Sequence, residues 1–332
     1  MTGIVSFSRS KIMAVLALMF VVGSVALAEE CKLASEMDAG TKSAMESAAQ
    51  RYYQAAVGGN FADLQQNAIP ALASDFSGIQ ATITDQRPNL GTSGTIRGTY
   101  ELDAPGAAPL ARAEFYCGIM NSANYVAFAI PNLPPGNYGL VIMDSQGGKS
   151  PVAVSFVLQQ VGSQWKIGGM YIRPTAIAGH DSQWFWQQAQ QYHNAGKQHA
   201  AWFYYLTAWD LAAPVRFIGT KQLDTMANEI QRVRPGDLVS PQQTLELPSG
   251  GKVYRLTDLF AIPVSDGLGL VVKYQVPDVS NTNVAYADNM AVMSGLLQKY
   301  PEFREAFSSI VARAVAPNGQ DYGTLLAMKN IK

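Results

Sequence analysis

The stretch VSFVLQQVGSQWKIGGMYI, Val154 to Ile172, decides the fold of the region around it. Two β-rich runs flank Gly162-Ser163, a pair suited to a tight turn, so the segment reads as an antiparallel hairpin. Working back towards the N-terminus, the same two-residue period recurs in Thr95 to Leu102, Ala111 to Cys117, Tyr125 to Pro131 and Tyr138 to Asp144. With Val152 to Val161 and Trp165 to Arg173 this makes six strands, separated by turn residues such as Pro134-Pro135-Gly136-Asn137 and Gly147-Gly148.

Before Gly91 the period is that of a helix. Met45, Ala49, Tyr52, Tyr53 and Ala56 fall on one face between Thr41 and Val57, and Gly58-Gly59-Asn60 ends the run. A second helical stretch starts at Phe61, is interrupted near Pro70, and resumes through Leu72, Phe76 and Ile79 before Pro88. Helices followed by an antiparallel sheet give an α+β domain, placed at residues 41–178.

The helix-first order and the closing hairpin, whose last strand begins Gln164-Trp165-Lys166-Ile167, resemble the nuclear transport factor 2-like superfamily. That resemblance implies a helix-led curved antiparallel sheet, cone-like, wrapped around an apolar cavity. Such a cavity would hold a small apolar ligand, with Tyr52 and Tyr53 as its polar lining. The turn Leu133-Pro134-Pro135-Gly136-Asn137-Tyr138 is similar to turns of prealbumin-like β-sandwiches, an alternative against which the leading helices count.

A helical hairpin follows at 180–234, with Asp181 or Ser182 placed as its cap. Phe185, Ala189, Tyr192, Gly196, Ala201, Tyr205 and Ala208, then Pro214, resemble one tetratricopeptide unit. One such unit cannot bury its own faces and must pack on neighbours. Pro235-Gly236-Asp237 and the stretch Ser240 to Gly251, rich in Pro, Gln, Ser and Gly, read as a linker or an extended crossing, placed at 235–252. A smaller α+β domain at 253–332 is expected to hold strands Val253 to Ile262 and Gly269 to Val276 and a helix from about Val284 to Lys299. A further helix would run from Pro301 to Asn318-Gly319, with Glu302 and Glu305 in its first turn and Arg313 near its end, and Tyr322 to Ile331 would be the last strand.

The N-terminus carries Arg9 and Lys11 and no acid, then an apolar run from Ile12 ending in Ala26-Leu27-Ala28. This is the pattern of a cleavable signal peptide over 1–28, so the chain is expected to be extracytoplasmic, periplasmic or secreted, with no stable membrane span after cleavage. Retention of the run as an anchor is the other reading. No asparagine lies in a glycosylation sequon, which suits a bacterial source. In an exported chain the two cysteines, Cys31 and Cys117, are expected to form a disulfide.

Candidate chemistry is sparse. The formal charge of -1 has no basic excess, which excludes a nucleic-acid footprint. Gly-x-Ser-x-Gly, His-Glu-x-x-His and the phosphate-binding Gly-x-x-x-x-Gly-Lys are absent. His193 and His199 stand six apart across a turn, unlike a helical metal pair, and His180 beside Asp181 reads as part of a helix start. In the first sheet strand Ile96, Tyr100 and Leu102 form an apolar row opposite Arg97 and Glu101. No catalytic residue, metal or cofactor is therefore assigned. The densest feature is aromatic: Trp184, Trp186, Trp202 and Trp209 are the candidate interaction surface for a protein partner. The functional expectation is a non-catalytic exported protein of binding or assembly, with conversion of a small apolar molecule in the N-terminal cavity, of isomerase or dehydratase type, as the alternative.

Overall fold

The computed structural model describes residues 29–120 and 122–332; the signal peptide expected over 1–28 lies outside the described residues. The fold is α+β, built on curved, mostly antiparallel sheets that do not close. Strand β1 (Glu30–Leu33) leads into helices α1 (Ala39–Gly58), α2 (Phe61–Gln66), α3 (Pro70–Ser74) and α4 (Ser77–Gln86). The six expected strands follow as β2 (Ser93–Ala104), β3 (Leu110–Cys117), β4 (Val126–Leu133), β5 (Gly136–Gln146), β6 (Val152–Val161) and β7 (Gln164–Pro174).

They do not form one sheet. The order β1-β2-β5-β6-β7 makes the main sheet, while β3 and β4 leave it and pair with each other. Helix α1 starts where Asp38 accepts a hydrogen bond from the Thr41 amide, and it ends at Gly59, whose φ of 71° is the left-handed conformation glycine tolerates. Its buried face is Met45, Ala49, Tyr52, Tyr53 and Ala56, laid against Val141, Met143, Val154, Phe156, Leu158, Trp165 and Ile167 of the sheet.

The other face of that sheet is equally apolar. Leu102, Tyr138, Leu140 and Ile142 meet Phe115 and Phe128 of the β3–β4 pair. A bulge between Ile96 and Gly98 sends Ile96 to the α1 side, opposite Met143, while Tyr100 and Leu102 face the other way. The single apolar row expected in this strand is therefore split between two cores.

A short β8–β9 pair (Ala176–Ile177, His180–Asp181) turns the chain into the hairpin α5 (Ser182–Asn194) and α6 (Gln198–Ala212). Strand β10 (Ile218–Thr220) then joins β4, giving a three-stranded sheet β10-β4-β3, and leads into α7 (Lys221–Val233). The last sheet has the order β11-β12-β13-β14-β15, from β11 (Leu245–Ser249), β12 (Lys252–Val264), β13 (Gly267–Gln275), β14 (Ser309–Val315) and β15 (Asp321–Ala327). Helices α8 (Thr282–Lys299) and α9 (Phe303–Ala306) lie between β13 and β14 in the chain.

Two expectations are corrected here. The stretch 235–252 is not a free linker: β11 lies within it and docks on α8, where Ser249 donates to the Ala291 carbonyl at 2.6 Å and Gly295 leaves no room for a Cβ. The helix expected from Pro301 stops at Ala306, and SIVARAV continues as β14, parallel to β13. Its buried residues Ile310, Ala312 and Ala314 have strand spacing, and a central position between two partners favours its β-branched residues over helix.

One apolar cluster joins all three regions: Phe115 and Phe128, Phe185, Phe203 and Tyr205, then Leu256, Tyr274, Val292 and Ile310. The hairpin thus buries its faces against its neighbours, as a lone helical pair must.

Cys31 and Cys117 are bonded, with Cα atoms 5.0 Å apart, closing a loop of 86 residues and tying β1 of the main sheet to the end of β3. The chain-entropy account gives such a loop about 4 kcal/mol of stabilisation. Replacing both cysteines by serine is expected to lower unfolding stability by about 2–5 kcal/mol, read as a lower urea midpoint; equal midpoints would refute this role.

Candidate functional site

The four tryptophans do not form one surface. Trp184 and Trp186 belong to α5. Trp184 stacks on His180 at 3.8 Å between ring centroids and meets Phe185 edge-on, while Asp181 caps the helix by accepting from the Trp184 amide at 2.9 Å. Trp186 donates through Nε1 to Glu229 of α7 at 2.5 Å.

Trp202 and Trp209 behave differently. With Leu206 they stand at i, i+4 and i+7 on α6, one continuous half-buried stripe. The opposite face, Ala201, Tyr204, Tyr205 and Ala208, is buried in the interior. The stripe looks across an open groove of about 360 Å³ at the β12–β13 hairpin, which contributes Leu259, Phe260, Ala261, Ile262, Pro263 and Leu268. Pro174 and Ile177 add to the apolar wall, and Asp210 and Arg216 supply its charges. Arg173 donates to both the carboxylate and the carbonyl of Asp210, fixing the end of α6 to β7. Trp202 Nε1 and Arg173 Nε are buried without a hydrogen-bond partner.

Tyr52 and Tyr53, expected to line an apolar cavity, are fully buried packing residues. Tyr52 donates to the Trp165 carbonyl at 2.7 Å and accepts from Arg51, and Tyr53 donates to the Gly91 carbonyl at 2.8 Å. Their rings, with Met45 and Phe156, occupy the space between α1 and the sheet. An open recess of about 450 Å³ beside Tyr53 is lined by Gln50, Arg51, Gln54 and Ser93 together with Gly94 and Met143.

Sequence spacing alone does not reveal a polar cluster that the fold assembles around His199. Its Nε2 lies 2.7 Å from Asp237 Oδ1, its Nδ1 lies 3.6 Å from Glu302, and Tyr300 donates to Asp237 Oδ2 at 2.8 Å. Lys197 pairs with Glu305 at 2.5 Å and Tyr204 donates to the Ala306 carbonyl at 2.6 Å. These bonds fasten the α5–α6 turn to the segment after α8. The cluster's two phenols are both engaged, Tyr300 with Asp237 and Tyr204 with the Ala306 carbonyl. His193 lies apart, near Tyr205 and Glu229, and among the described residues no three side chains are grouped to hold a metal.

Burial works against ionisation of Asp237, but the hydrogen bonds from Tyr300 and His199 outweigh it and hold the carboxyl below the ordinary aspartate range. Burial, and then the Asp237 carboxylate itself, pushes the Tyr300 phenol up. A depressed carboxyl contributes stability that is present above its unfolded value of about 4 and is lost as pH falls through the folded one. Asp237→Asn is expected to cost about 1 kcal/mol at neutral pH, with the gap from the parent protein closing below about pH 4. Thermal melts across that range check it, and a gap that stays constant into acid would contradict the pairing.

No protein-family model, curated protein or solved structure matches this chain. Among the described residues no helix is long and apolar enough to cross a membrane.

Proposed function

We propose that this chain is an exported, non-catalytic binding protein that holds a small apolar ligand in the groove between α6 and the β12–β13 hairpin. The observation that carries this reading is the pairing of the Trp202, Leu206 and Trp209 stripe with the apolar rim from Leu259 to Pro263 across an open space of about 360 Å³. That volume lies within the usual range of small-molecule sites, which are mostly apolar with a few polar groups to orient the ligand. Aromatic walls supply large contact area at low conformational cost.

Export is supported by the signal-like segment together with the disulfide, a bond suited to an oxidising compartment. The helix-led sheet is read as a nuclear transport factor 2-like scaffold, and α5–α6 as a tetratricopeptide-like unit that presents its outer stripe to the groove. In this scheme the binding site has moved from the sheet's concave face, where α1 packs, to the junction with the C-terminal sheet. The cluster around His199 acts as a joint that holds the hairpin in register with that sheet.

The test uses the neutral fluorophore N-phenyl-1-naphthylamine. Saturable binding is expected, weakened about tenfold in Trp209→Ala and unchanged in Trp184→Ala, which alters the opposite helix. Absence of saturable binding, or equal losses in both variants with folding intact by circular dichroism, would overturn the assignment.

A further inference from the structure

The charges at the groove are unbalanced in a way that points to the ligand's head group. Two charged residues line it, Asp210 and Arg216, and Asp210 is already engaged by Arg173 of β7. Arg216 is exposed, and among the described residues no carboxylate pairs with it. Its side chain also borders the neighbouring recess of about 760 Å³ over β3, β4 and β10, so it stands between two open surfaces. The groove thus offers one guanidinium without a carboxylate partner and an apolar wall that includes Leu206, Trp209, Ile262 and Leu268.

We propose that the groove takes a single-chain amphiphile with one carboxylate, its tail along Trp202, Leu206 and Ile262 and its head on Arg216. This rests on the binding reading above and adds the ligand's chemical class. A carboxylate is the complement of a guanidinium: the planar group offers parallel N–H donors to both oxygens, and a charge-assisted pair is stronger than a neutral one. An uncharged apolar molecule would fill the same wall but leave Arg216 unused. A dianionic phosphate head would exceed the single unpaired guanidinium available. The tail is matched by the wall, since burial of each methylene against apolar surface contributes about 0.8 kcal/mol.

The experiment titrates the full mature chain with decanoate and with decanol by calorimetry at neutral pH, below the micellar range. Decanoate is expected to bind about tenfold more tightly than decanol. Arg216→Gln should remove that preference, whereas Arg112→Gln, whose parent side chain pairs with Glu114 in the neighbouring recess, should leave both ligands as they were. Ala261→Phe, which fills the groove, should abolish both.

Equal affinity for the two ligands in the parent protein would overturn the anionic head while leaving the binding reading intact. A preference that survives Arg216→Gln would overturn the anchor. Failure of both ligands to bind would sink the binding reading itself. Binding of an apolar peptide through its free C-terminal carboxylate, with decanoate inert, would replace the amphiphile by a protein partner.

Discussion

The rest of the structure follows from one constraint: β5 and β6 are apolar on both faces. In β5, Val141 and Met143 point one way and Leu140 and Ile142 the other; in β6 the run from Val152 to Val157 is wholly buried. An antiparallel sheet ordinarily leaves one face to water, so this one needs two covers. Helix α1 provides the first. The second is composite, because the β3–β4 pair is too small to shield the face alone. Chain from both sides of it is recruited: β10 extends its sheet, and α6 closes over the same interior, with Ser155 donating to the Pro214 carbonyl. The C-terminal sheet then packs on the remaining face of α6. The double-sided sheet thereby places a helical hairpin between two β layers, and the groove lies where that packing is incomplete.

Elements whose periodicity is local were legible in the sequence. The six strands, α1, α5, α6 and α8 each carry their own spacing, and each lies within a few residues of its expected position. What escaped depends on partners distant in the chain. β1 and β10 are short runs that become strands by pairing with Tyr100 to Asp103 and with Val126 to Phe128. β14 was misread because Glu302, Glu305 and Arg313 match the charge preference of a helix, a weak surface term. Burial of Ile310, Ala312 and Ala314 between two strands is a stronger one. The bulge at Ile96 left no periodic signature, since a single extra residue exchanges faces without changing composition.

The candidate site was half legible for the same reason. The spacing of Trp202 and Trp209 identified a stripe on one helix face, but its opposite wall is a hairpin more than fifty residues downstream whose own sequence reads as an ordinary strand pair. Aromatic density alone could not separate these two rings from Trp184 and Trp186. The separation is geometric: α5 buries Phe185 and Ala189 and turns its tryptophans towards His180 and Glu229, within the reach of the protein's own groups. Tyr52 and Tyr53 show the converse error, in which a polar tip on a buried ring suggested a lining. A phenol at the centre of a packed core needs an acceptor, and here backbone carbonyls supply it.

The position of the groove also bears on how it could respond to what it holds. Its two walls belong to elements fastened at separate points: α6 is tied to β7 through Arg173 and Asp210, and to the segment after α8 through His199, Asp237 and Tyr204. The β12–β13 hairpin is held by its own ladder and by the parallel strand β14, not by direct polar bonds to Trp202 or Trp209. Contact across the groove is therefore apolar, non-directional and adjustable, whereas the anchors on either side are directional. An occupant would add surface between walls that the protein itself leaves unjoined, so occupancy would strengthen the hairpin's attachment to the C-terminal sheet without rearranging the polar joint. If the groove is occupied as proposed, binding and cohesion of the three regions would be coupled through α6, whose buried face carries the common core and whose outer stripe faces the open space.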